Sequence, residues 1–117
     1  MDAVFLPINP VEATLGGFMD SVLHLAQELG LAVIGMKVLG ASHYILKDFG
    51  ITPEELIRYA LSQKITTAIV GCSTPQEVRT LARVASDFKP MSPEEQHRLV
   101  EIFRPSSLKL AFYRGTI

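Results

Sequence analysis

The chain has one cysteine, Cys72, and no tryptophan. A lone thiol closes no internal disulfide, and such sparing use of cysteine suits a reducing compartment. Charge of one sign is also missing. Eleven basic and twelve acidic side chains leave a formal net charge of −1, which points neither to nucleic acid nor to an acidic membrane surface. No apolar run reaches the roughly 18 residues that span a bilayer. The N-terminus lacks the basic-then-apolar order of a secretory leader, so the cytoplasm is the expected location. The three histidines, His24, His43 and His97, are scattered and make no ligand set, and no metal is expected.

What remains is a folded chain. Of 117 residues, 48% are apolar, which excludes disorder and suffices for one modest core. The most informative stretch is Thr66-Thr67-Ala68-Ile69-Val70-Gly71-Cys72-Ser73-Thr74-Pro75-Gln76-Glu77-Val78. It reads as a buried strand, a sharp turn at Gly71, and a helix opening at Thr74. Thr74 is a good N-cap, Pro75 suits the first helical position, and Glu77 completes a capping box. Free N–H groups at such a helix start favour an anion such as a phosphate. The capping box alone also accounts for the Thr, the Pro and the Glu, so both readings stand. Cys72 at the helix start is either a thiol of lowered pKa or a small buried side chain.

Elsewhere the pattern alternates. Residues 3 to 8 form a short apolar strand that ends at Asn9-Pro10, with Pro7 suggesting a strand end or an edge. Phe18, Val22, Leu25, Ala26 and Leu29 fall on one helical stripe, and Gly30 stops that helix. Residues 31 to 39 are apolar nearly throughout, the pattern of a strand buried on both faces. Gly40-Ala41-Ser42 follows as a loop. Thr52-Pro53-Glu54-Glu55 opens a helix to about Ser62, with Leu56, Tyr59 and Ala60 on its inner face. Residues 65 to 70 are β-branched and strand-like. A helix runs from Pro75 to about Ala85, and Ser92-Pro93-Glu94-Glu95 opens a last one to about Phe103. Residues 104–117 carry Arg104, Lys109 and Arg114 without an acid and read as a solvated C-terminal tail.

The order strand, helix, strand, helix, strand, helix, helix predicts a parallel α/β sheet built by right-handed crossovers. Three strands leave two unpaired edges. The expectation is that further strands lie upstream or that a partner supplies them.

Four blocks carry a resemblance. Gly30-Leu31-Ala32-Val33-Ile34-Gly35-Met36-Lys37-Val38-Leu39-Gly40 resembles the seventh strand of aldo/keto reductases. Arg58-Tyr59-Ala60-Leu61-Ser62 resembles the following helix in a bacterial branch of that family. Residues 69–78 resemble the eighth strand and its nucleotide-binding loop, and Phe88-Lys89-Pro90-Met91-Ser92-Pro93-Glu94-Glu95 resembles the closing segment. The blocks occur in the family's order and span about residues 3 to 103.

The resemblance implies a partial (β/α)8 barrel, strands six to eight with their helices, in one partial domain over residues 1–117. It implies NADP(H) or NAD(H) lying across the carboxyl ends of the strands. Met36, Lys37, Leu39 and Gly40 would face the nicotinamide end and the pyrophosphate, with Met36 where many members stack an aromatic ring. Gly71, Cys72, Ser73, Thr74 and Glu77 would hold the adenosine end. Gly71 and Glu77 stand where many members carry Lys and Arg for the 2′-phosphate, which makes a preference for NADPH uncertain. Leu81 replaces an adenine-contacting Asn, and Phe5 a Gln that contacts the carboxamide.

The family's catalytic Asp, Tyr, Lys and His match no position here; Tyr44, Tyr59 and Tyr113 lie outside that motif. The implied function is the cofactor-binding portion of a carbonyl or alcohol oxidoreductase, without its catalytic groups. The implied partners are the dinucleotide and either the upstream half of the barrel or a second copy. Two alternatives remain: a non-catalytic nucleotide- or phosphate-binding half-barrel, and a truncated fragment that self-associates.

Overall fold

The structure, a computed structural model, describes residues 1–114. Three parallel strands form the sheet in the order β1 (Ala3–Pro7), β2 (Ala32–Met36), β3 (Thr67–Ala68). Phe5 pairs with Ile34, and Ile34 with Thr67. The ladder at β3 is shorter than residues 65 to 70, although Thr66 N–H to Val33 O (2.8 Å) and Ile69 N–H to Gly35 O (2.9 Å) extend it at each end. A Cβ on Gly35 would stand 3.2 Å from side-chain atoms of both Ile8 and Ile65, so the glycine lets these two side chains pack closely on the strand.

The helices are α1 (Pro10–Leu15), α2 (Leu23–Glu28), α3 (Pro53–Leu61), α4 (Pro75–Ser86), α5 (Pro93–Phe103) and α6 (Ser107–Leu110). Four open on the same local device, an oxygen-bearing N-cap followed by proline. The side chains of Asn9, Thr52, Thr74 and Ser92 accept from the N–H groups of Glu12, Glu55, Glu77 and Glu95. The first of these starts α1, where the sequence suggests only a strand end.

The stripe expected before Gly30 is displaced. A π turn over Phe18–Val22, with Val22 N–H bonded to Gly17 O at 3.0 Å, inserts one residue ahead of α2. The core side of α2 therefore carries Leu23 and Ala26, while Val22, Leu25 and Leu29 are exposed.

One core lies between the sheet and the helices, around Leu6, Ile8, Val33, Ile57, Ala60 and Val84. A second gathers Val11, Tyr44, Leu56, Tyr59, Phe103 and Ala111. Tyr59 is buried, as its place on the inner face of α3 predicts. The other sheet face is open among the described residues. Phe5 is 52% and Ile69 56% exposed there, and Ile34 and Met36 are half-buried. This corrects the expectation that residues 31 to 39 are buried on both faces: the helices cover only the side of Val4, Leu6 and Val33.

Residues 104–114 are not a solvated tail. They fold as a 3-10 turn, α6 and a second 3-10 turn over Phe112–Arg114. Ser107 and Ala111 are buried, and the missing acid comes from α1: Arg114 pairs with the buried Glu12.

Candidate functional site

The carboxyl ends of the strands open onto a groove of about 460 Å³, within the ~300–1,000 Å³ typical of small-ligand sites. Phe5, Met36 and Ile69 contribute from the open sheet face; Lys37, Leu39, Ala41, Ser42 and Gly71 come from the two loops. A second, narrower cleft of about 120 Å³ shares Leu39, Val70 and Gly71 with the first, and continues past Cys72 and Thr74 to Glu77 and Leu81. The two clefts adjoin at the ends of two strands.

The loop after β2 has an unusual backbone. Lys37 (φ 53°), Ala41 (φ 52°) and Ser42 (φ 72°) are all left-handed without being glycine. Such conformations cost about 1 kcal/mol or more each and concentrate at functional sites. All three line the groove. The Lys37 carbonyl accepts from Gly40 N–H (3.2 Å) and from Asn9 Nδ2 (3.0 Å). Gly40 does not line the groove but stands behind it. Its φ is +55°, and a Cβ there would meet the Tyr44 ring at 2.5 Å.

On the other side, Gly71 is exposed, and a Cβ there would meet nothing within 4 Å. Neither packing nor a positive φ requires glycine at this turn. Cys72 is half-buried, its Sγ 3.8 Å from Val70 O.

The start of α4 is closed by its own side chains. Glu77 Oε2 accepts from Ser73 N–H (2.7 Å) and Thr74 N–H (2.8 Å). Thr74 Oγ1 accepts from Glu77 N–H (3.1 Å), and Pro75 has no N–H to offer. This narrows the expectation of free donors for a phosphate at this helix start: the Glu77 carboxylate already accepts from Ser73 and Thr74 N–H. Ser73 contributes its backbone to that cap and does not line the cleft.

The structure thus brings Met36, Lys37, Leu39, Gly71, Cys72, Thr74 and Glu77 onto one surface. The titratable side chains lining it are Lys37, Cys72 and Glu77. The hydroxyls of Tyr44 and Tyr113 are engaged elsewhere. Tyr113 donates to Glu12 Oε1 at 2.6 Å and Tyr44 to Leu110 O at 3.1 Å. Burial raises the pKa of Tyr44, Tyr59 and Tyr113, with the Glu12 carboxylate adding to the effect on Tyr113. His24 pairs with Glu28 and His97 lies near Glu101, both on exposed helix surfaces.

Sequence reasoning did not single out Asn9, Glu12 or Ser42. The signal for the first two was available: Asn9-Pro10-Val11-Glu12 repeats the cap-and-proline device of the other helix starts. Comparison with protein families, curated proteins and solved structures finds no match to this chain.

Proposed function

We propose that this chain holds a nicotinamide dinucleotide across the carboxyl ends of its strands, as the cofactor-binding portion of an aldo/keto reductase-like barrel. The observation that carries the reading is the pair of adjoining clefts, one lined by Phe5, Met36 and Lys37, the other reaching Glu77, that share Leu39, Val70 and Gly71. Its apolar floor suits the nicotinamide ring, and the Lys37 ammonium suits the pyrophosphate. The empty space over Gly71 admits close approach of a ligand to the backbone. The bound cofactor would supply hydride for a carbonyl in the complete barrel.

The same groove argues for NAD(H) over NADP(H). Glu77 holds a carboxylate on the donors of α4, where the adenosine end would lie. A 2′-phosphate beside it meets like charge. No tyrosine lines the groove to act as a general acid, so the isolated chain binds without turnover.

Calorimetric titration with NADH and with NADPH tests this. Tighter binding of NADH is expected, with the difference narrowing by about fivefold in Glu77→Gln, the effect of removing about 1 kcal/mol of charge repulsion. Absence of saturable binding by either nucleotide refutes the reading. Reduction of a test aldehyde by the pure chain refutes its non-catalytic part.

A second reading is favoured by a separate observation. Val22, Leu25 and Leu29 line one side of α2, and all three are exposed. Gln27, on the opposite side, donates to Lys64 O beside β3 at 2.9 Å, so the apolar stripe points away from β3, past β1. Among the described residues β1 has no partner on its outer edge. A free edge beside an apolar helix face supports self-association, or docking of the upstream half of a barrel.

A further inference from the structure

The loop of residues 37–44 lines the groove through Lys37, Leu39, Ala41 and Ser42, and the C-terminal segment fastens it at three points. First, Asn9 Nδ2 donates both to Lys37 O (3.0 Å) and to the Tyr113 hydroxyl (3.1 Å). Second, Tyr44, fully buried beneath Gly40, donates to Leu110 O (3.1 Å). Third, the His43 ring meets Phe112 edge-on with centroids 5.0 Å apart.

Asn9 is the hub, and its amide can point only one way. Its Oδ1 accepts from Glu12 N–H at 2.9 Å as the N-cap of α1, which directs the NH2 group towards Lys37 and Tyr113. Tyr113 in turn donates its O–H to Glu12 Oε1 at 2.6 Å. Arg114 Nε donates to the same oxygen at 2.9 Å and Nη2 to Gly16 O at 2.8 Å. The carbonyl of a lysine in a strained left-handed conformation is thus held by an amide that the α1 cap orients and that the Tyr113 hydroxyl of the C-terminal segment shares.

We infer that residues 107–114 clamp the groove loop, with Tyr113 as a positioning residue that acts on Lys37 through Asn9. The inference rests on the groove being the ligand site. Undocking of the segment takes Tyr113 from Asn9 and Leu110 O from Tyr44 together, and loosens the hold on the left-handed backbone of Lys37, Ala41 and Ser42. A ligand that needs the ordered loop then tightens the segment's docking, and docking tightens the ligand by the same factor. The C-terminal segment becomes a control point for the groove without touching the ligand.

Amide hydrogen exchange on the whole chain, without ligand, tests the clamp in the wild type, in Tyr113→Phe and in Tyr44→Phe. The reporters are the N–H groups of Gly40, His43 and Tyr44, bonded to Lys37 O, Gly40 O and Leu39 O. The references are Leu31 N–H and Thr66 N–H, bonded to Ala26 O and Val33 O. Tyr113→Phe, which loses the hydrogen bonds to both Asn9 and Glu12, is expected to speed exchange at the loop by about tenfold and at the references by less than about twofold. Equal acceleration at all five amides, or none at the loop, overturns the clamp. Should Tyr113→Phe fail to fold, Tyr44→Phe severs the second tie and is judged by the same contrast. NADH is then added to each protein. It is expected to slow loop exchange in the wild type and to bind Tyr113→Phe several-fold more weakly. Failure of NADH to bind the wild type refutes the cofactor reading, while the ligand-free contrast still decides the clamp.

Discussion

Glu12 and Arg114 meet as an ion pair although 102 residues separate them. Glu12 is fully buried, Arg114 is three-quarters covered, and Tyr113 donates to the same carboxylate. A buried pair adds little when whole and is costly when halved, because the surviving charge stays desolvated. Arg114→Met should therefore lower stability by about 3 kcal/mol, the low end for a broken buried pair because the guanidinium keeps some contact with water. Glu12→Gln combined with Arg114→Met should recover part of that loss. Urea unfolding of the single and double variants checks both; additive losses would mean that the pair does not act as a unit.

The three tyrosines give the protein an alkaline limit. Burial raises the pKa of Tyr44, Tyr59 and Tyr113 above their ordinary value of 10.0. Above that pH the unfolded chain loses phenolic protons that the folded chain keeps. The unfolded state then binds fewer protons, and stability falls as pH rises. The tyrosines' contribution should be constant below about pH 9 and be lost from about pH 10. Tyrosinate absorbance should appear together with loss of helical circular dichroism. Titration of all three phenols in a still-folded chain would contradict their burial.

Much of this architecture is legible because its signals are local. Thr52, Thr74 and Ser92 each announce a helix within four residues, and each helix is found. The loops at Lys37 and Gly71 follow from where β-branched, apolar runs stop. What escapes the sequence is non-local or depends on count. The π turn at Phe18–Val22 changes which residues face the core by one position, and no residue type marks it. Residues 104–114 look solvated because they contain no acid, and their acid stands on α1. At α4 the capping box and the anion site compete for the same N–H groups. The sequence displays both, and only the placement of the Glu77 carboxylate decides between them.

Gly40 and Gly71 flank the groove but differ in what they require, which separates folding from binding. Gly40 has φ +55°, and a Cβ would enter the Tyr44 ring. Gly40→Ala should cost about 2–4 kcal/mol through strain and overpacking together. Gly71 has open space around it, so Gly71→Ala should change stability by less than about 0.5 kcal/mol. Gly71→Asp should also fold, yet weaken NADH binding by placing a negative charge on the path of the pyrophosphate. Melting temperatures and NADH titrations of the three variants check the set. Full NADH affinity in Gly71→Asp would remove this turn from the site.

The exposed stripe on α2 makes a prediction independent of any nucleotide. Leu25 and Leu29 are 52% and 64% exposed, and Val22 beside them is 38% exposed. On the same border, β1 offers its outer backbone groups to no strand among the described residues. Two copies that met at this border by a two-fold axis would pair β1 with β1 in antiparallel fashion and bring the two stripes together. Both unsatisfied features would be covered in one contact. Sedimentation equilibrium should then show the average mass rising with concentration from that of a single chain towards twice that value. Leu25→Lys should hold the chain at the single-chain mass, because one buried ammonium at the centre of such a contact is not tolerated without a partner. The substitution leaves the Leu23 and Ala26 side of α2 untouched, so its melting temperature at low concentration should match the wild type. Association that persists in Leu25→Lys would move the contact to the open sheet face, where Phe5 and Ile69 are the next apolar side chains exposed. Phe5→Lys would then be the variant that dissociates it.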